Sequence, residues 1–113
     1  MLVENLKRRK KMFNYNFIEK EEGTTLLIDL EGEFDTAGAQ EVQSRLESYN
    51  TDKINKVIFG LEKVTLMASS GLRVIFYAKD KIKEEMKVEL YKPKDLVAKI
   101  IKMSGMHKFV DVV

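Results

Sequence analysis

At 113 residues the chain is long enough for one domain that buries roughly two thirds of its unfolded surface. Apolar residues make up 44% and charged residues 34%, the balance of a soluble globular protein, and a net charge of +2 gives no general attraction to nucleic acid or membrane. The absence of cysteine excludes disulfides, thiolate catalysis and cysteine metal sites.

The charge is unevenly spread. Lys7, Arg8, Arg9, Lys10 and Lys11 against Glu4 give residues 1–12 a charge of +4, so residues 13–113 carry −2. Such a run reads as a solvated tail or as a contact for an acidic partner, and Met12 behind it is an alternative start. We therefore divide the chain into a basic extension, 1–12, and a domain, 13–113. No apolar segment follows the basic residues, so a secretory signal is not expected. The uncharged stretch Val64–Leu72 is too short to span a bilayer, and a cytoplasmic location is the expectation.

Phe13, Tyr15 and Phe17 alternate, as do Leu26, Ile28 and Leu30, with Glu21-Glu22-Gly23-Thr24 as a hairpin turn between two antiparallel strands. Ala39, Val42, Leu46 and Tyr49 then recur at helical spacing, capped by Asp35 or Thr36 and ended by Asn50-Thr51-Asp52. The continuous run Val57-Ile58-Phe59-Gly60-Leu61 predicts a strand covered on both faces. A second helix should run from Ser69 or Ser70 to about Glu85, with Leu72, Ile75, Phe76, Lys79 and Ile82 inward. Val88 and Leu90 give a fourth strand. Pro93 fits the first turn of a third helix, whose apolar side is Leu96, Val97, Ile100, Ile101 and Met103 or Ser104. Gly105 is its C-terminal cap, and Phe109, Val110 and Val112 form a last edge strand. The order ββαβαβαβ describes a single α/β domain, a mixed sheet with helices packed against it.

Few residues offer chemistry. His107, the sole histidine, has no Glu-x-x-His partner and reads as a surface or strand-start residue. Glu31/Glu33 and Glu84-Glu85 read as solvated faces rather than acid–base pairs. Met67, Met86, Met103 and Met106 read as core or interface filling. No phosphate-cradling glycine motif or nucleophile–base pair is present, so an enzyme is not expected and no cofactor or metal is implied. Ser69-Ser70-Gly71 remains, two hydroxyls where an apolar strand meets an apolar helix. A serine there can cap the helix, sit beside a bound anion or accept a phosphoryl group.

Three segments then stand out together: Gly32-Glu33-Phe34-Asp35, Leu66-Met67-Ala68-Ser69-Ser70-Gly71-Leu72 and Lys102-Met103-Ser104-Gly105-Met106. They resemble landmarks of the STAS family, and more closely those of the bacterial anti-sigma factor antagonists, over about Tyr15 to Val112. The resemblance implies a STAS domain over 13–113 and a non-catalytic regulator of transcription. Its partner would be an anti-sigma factor, often a serine kinase, that phosphorylates one serine at the start of the second helix. A serine phosphatase would reverse the modification. Direct binding to nucleic acid or membrane is not implied.

On this likeness Ser69 is the phosphorylated position, and Asp35 the acid commonly near it. The partner surface would comprise Asp35, Met67, Ala68, Ser69, Ser70, Gly71, Arg73 and Tyr77. The chain departs from the pattern at Ala68, where the family commonly has aspartate. Alanine can neither orient the serine hydroxyl nor contact a kinase, yet it repels a phosphate less. The alternative is a STAS scaffold, or an anion- or nucleotide-binding module, in which Ser69 is never modified.

Overall fold

The computed structural model describes residues 12–81 and 87–113. Most of the basic extension, and the expectations placed on Ile82, Glu84, Glu85 and Met86, lie outside the described residues. Strands β1 (Phe13–Lys20) and β2 (Thr25–Phe34) form an antiparallel hairpin. Its turn places Glu21, Glu22 and Gly23 at φ of 55°, 57° and 86°. Helix α1 (Thr36–Ser48) leads to β3 (Lys56–Met67), α2 (Ser69–Lys81) to β4 (Lys87–Tyr91), and α3 (Asp95–Ser104) to β5 (Asp111–Val112). The sheet order is β1-β2-β3-β4-β5, with β2 to β5 all parallel, so the expected ββαβαβαβ order holds.

Register explains the core. Leu26, Val57 and Val88 lie side by side across three strands, as do Ile28, Phe59 and Leu90, and all six are at most 1% exposed. Ala39, Val42 and Leu46 from α1, Val74, Ile75 and Ala78 from α2, and Val97 and Ile101 from α3 join the same cluster. Each fully buried aliphatic or aromatic side chain contributes about 1.5–3 kcal/mol.

The other face of the sheet is not covered as expected. Ile18, Leu27, Ile58 and Glu89 sit in register there, with Ile18 40% exposed and Leu27 and Ile58 half-buried. The crossovers from β2 to β5 all step in one direction. Right-handed crossovers of that kind lay every helix on a single face. Among the described residues the run Val57–Leu61 is thus sealed on one side only.

Further expectations are corrected. The buried stripe of α2 is Gly71, Val74, Ile75 and Ala78, whereas Phe76 is exposed and Leu72 and Lys79 are half-buried. The inward stripe is shifted by one position along the helix, which turns Phe76 toward water. Helix α3 starts two residues after Pro93, with Lys94 as its N-cap. On that helix Leu96 and Met103 are 55% and 77% exposed, leaving Val97 and Ile101 as its buried contacts. The final strand is only Asp111–Val112, because a 3-10 turn over Met106–Lys108 takes up the chain before it. Val110 is buried, and Phe109 projects into solvent.

The late Met-Ser-Gly segment is a helix stop. Gly105 adopts φ 80°, in the left-handed region. The Ser104 hydroxyl donates to Ile101 O at 2.7 Å and accepts from Met106 N at 3.2 Å.

Candidate functional site

The site is built by the carboxyl ends of β2 and β3. Phe34 and Met67 are the last paired residues of these parallel strands, and Ala68 N donates to Phe34 O at 3.0 Å. Asp35 and Ala68 therefore leave the sheet side by side, and each opens a helix. Gly32 prepares this exit. Its φ of 94° lies within an irregular stretch of the β2–β3 pairing, and a Cβ there would lie 2.0 Å from Met12 O.

The two helix starts are seated alike. Gly38, three residues after Asp35, faces Phe13; Gly71, three residues after Ala68, faces Phe34. An added Cβ would meet those rings at 2.9 and 2.8 Å. The rings are stacked on each other, centroids 5.4 Å apart. One aromatic pair thus fixes both N-termini, and Met67, 3% exposed, packs beside Gly71.

Their capping differs. Asp35 caps α1, with Oδ1 accepting from Gly38 N at 2.9 Å, so Thr36 is not the cap. Its hydroxyl instead meets Ser70 Oγ at 3.2 Å, bridging the two helix starts. At α2 the cap position falls on Ala68, whose carbonyl accepts from Gly71 N at 2.9 Å and Leu72 N at 3.3 Å. The capping reading of the serine pair therefore fails, because Ser69 and Ser70 are the first two residues inside the helix. Alanine has no side-chain acceptor for the first-turn N–H groups. Neither helix has an acidic residue in its first turn, and both present the positive end of their dipoles here.

Of the eight sequence-predicted residues, Asp35, Ser69 and Arg73 are exposed and Ala68, Ser70 and Tyr77 are half-buried. Met67 and Gly71 are buried, so they shape the loop and offer almost no contact surface. Arg73 and Ser70 line a groove of about 420 Å³ between α1 and α2, with Thr36, Gln40, Gln43 and Glu47 opposite. Burial, and then the charge of Glu47, raise the pKa of Tyr77 above its ordinary value. At the far end Lys81 Nζ donates to Leu46 O at 2.6 Å and Glu47 O at 2.9 Å, tying the end of α1 to α2. Among the described residues no three histidine, aspartate or glutamate side chains gather as a metal site would require.

Sequence reasoning missed Gly38, Phe13 and the glutamines of the groove. The repeated three-residue spacing from Asp35 to Gly38 and from Ala68 to Gly71 was a usable signal for the paired seats. No helix of the described residues is long and apolar enough to cross a membrane.

Comparison with known proteins agrees with this architecture. The chain is similar in fold to the anti-sigma factor antagonist SpoIIAA in its unphosphorylated form, with a TM-score of 0.77, 19% identity and 88% of each chain covered. An anti-sigma factor antagonist from Mycobacterium paratuberculosis gives a TM-score of 0.78 at 15% identity, covering 88% of this chain and 84% of that one. A STAS-domain antisigma-factor antagonist from Rhodobacter sphaeroides gives 0.55 at 14% identity, over 70% of this chain and 85% of that one. No curated protein sequence matches. The STAS domain model matches residues 16–113, and the chain belongs to the STAS domain family.

Proposed function

We propose that this chain is an anti-sigma factor antagonist: it binds an anti-sigma factor that is also a serine kinase, and phosphorylation of Ser69 ends the binding. The observation that carries the reading is the exposed hydroxyl of Ser69 at the first position of α2, beside the Asp35 loop. The fold shared with anti-sigma factor antagonists supports it.

The mechanism needs no rearrangement of the fold. The kinase transfers the γ-phosphoryl group of ATP to Ser69 Oγ, releasing ADP and the hydroxyl proton. The product carries about −1.5 to −2 charges at neutral pH. Within the free protein two helix N-termini and the nearby Arg73 tolerate that charge. At a docked interface it must lose water or face a partner's carboxylate, and each 1.4 kcal/mol lost is a tenfold loss of affinity. A serine phosphatase restores the binding form.

The test compares Ser69→Asp with Ser69→Ala for binding to the purified anti-sigma factor. The aspartate variant should bind at least about tenfold more weakly, since one buried repulsive contact exceeds 1.4 kcal/mol. Equal affinities reject the switch.

One observation favours a second reading. Ala68 leaves the first-turn N–H groups of α2 without a side-chain acceptor, and the adjoining groove is lined by Thr36, Gln40, Ser70 and Arg73. An anion- or nucleotide-binding STAS module would use these groups with Ser69 unmodified. Mass spectrometry after incubation with the kinase and ATP separates the two, because only the switch gains a phosphate.

A further inference from the structure

Four residues of α2 are exposed: Ser69, Arg73, Phe76 and Asp80. Their spacing of four, three and four places them on one face of the helix. Phe76 is 36% exposed and meets Phe109, itself 61% exposed, edge to face with ring centroids 6.0 Å apart. Two aromatic rings in contact with each other and open to water form a patch with burial still to gain. Seven residues of helix rise about 10 Å, so the rings and the Ser69 hydroxyl fall within one interface of about 800 Å² per partner.

We infer that the Phe76–Phe109 pair is the apolar anchor of the surface that carries Ser69, and that its occupant is a partner protein with an apolar socket and a carboxylate opposite Arg73. The inference rests on the anti-sigma factor reading above and deepens it. Arg73 stands one turn before Phe76, and Lys108 directly precedes Phe109; Asp80 is the one carboxylate on the stripe. Arg73 and Lys108, set against Asp80, favour an acidic rim on the partner. Such a rim also accounts for the switch. A carboxylate that meets Arg73 lies about one helical turn from a phosphate on Ser69 and is repelled by it. Binding strength then comes from the rings, and its regulation from the charges.

The experiment uses the full chain and the anti-sigma factor it binds most tightly among those encoded in its own genome. Phe76→Ser and Phe109→Ser should each raise Kd about 10- to 100-fold, as truncation of an aromatic anchor does. Arg73→Glu should raise it about as much. Ile18→Ser, on the outer face of the sheet, should leave it unchanged. Thermal unfolding of each variant is measured alongside; Phe109 is mostly outside the core, so its variant remains informative if Phe76→Ser folds poorly. If both phenylalanine variants bind like the parent while Ser69→Asp still releases the partner, the anchor is overturned and the switch stands. An equal loss on Ile18→Ser also overturns it. If the parent chain binds no anti-sigma factor, the functional reading fails and the anchor falls with it.

Discussion

The starts of α1 and α2 share a floor and differ at the lid. Each puts a glycine at its third position against one ring of the Phe13–Phe34 stack. At α1 the Asp35 carboxylate closes the helix end, whereas Ala68 leaves the end of α2 without a side-chain cap. One start thus has a side-chain cap, and the other relies on the Ala68 carbonyl alone. The difference teaches that placement and capping are set separately: the glycine seats fix where each terminus lies, and the residue before the helix decides whether a side chain closes it.

The seats give the largest expected effect. Gly71→Val should cost about 1–3 kcal/mol, since Phe34 is fully buried and cannot move aside. Gly38→Ala should be close to neutral in urea unfolding. Phe13 is only half-buried and can tilt away, and alanine is the better helix former by about 1 kcal/mol. If both substitutions cost the same, the shared floor is less asymmetric than the burial of the two rings implies.

The caps come next. Asp35→Ala should lose about 1 kcal/mol, and Ala68→Asp should gain about 0.5–1 kcal/mol by supplying the missing acceptor. Urea midpoints at fixed pH measure both. No gain at Ala68→Asp would mean that the open end is satisfied in another way.

The smallest effect lies at the opposite end of α1. Burial first, and then the hydrogen bond to and charge of Glu19, push the Tyr49 hydroxyl up to about 12, with Arg45 opposing. The folded state holds the proton more tightly than the unfolded chain, whose phenol titrates near 10. The stabilisation is therefore whole below pH 10 and lost as pH rises from 10 to 12. Tyr49→Phe should be less stable at pH 8 and should show a flatter fall across that window. A parallel fall in both proteins removes the phenol from the account.

Much of the fold was legible because alternation and helical spacing coincide with real burial. Leu26, Ile28 and Leu30 are all 0% exposed, and Ala39, Val42 and Leu46 line the inner face of α1. Asp35 and Gly105 were legible as a cap and a stop because few residues serve those conformations. Phe76, Leu96 and Met103 misled because an apolar side chain is not obliged to be inside. The one-sided sheet could not be read from Val57–Leu61, since a run of apolar residues says nothing about which crossovers flank it.

In the site, the resemblance placed Asp35 near Ser69 but did not show how the two helix starts are seated. The packing of Gly38 and Gly71 on two stacked rings is a three-dimensional fact with only a faint trace in spacing. The burial of Met67 and Gly71 was hidden for the same reason, because neighbours of an exposed serine can point inward.

The bridge between Thr36 and Ser70 bears on choice between adjacent alcohols. Ser70 is half-buried and engaged across the gap, while Ser69 next to it is exposed. Two chemically identical groups are thereby made unequal by their surroundings: one is engaged with Thr36, and the other is exposed. Replacing Thr36 with valine would unfasten the second alcohol and, on the proposed switch, offer a kinase two acceptors in place of one.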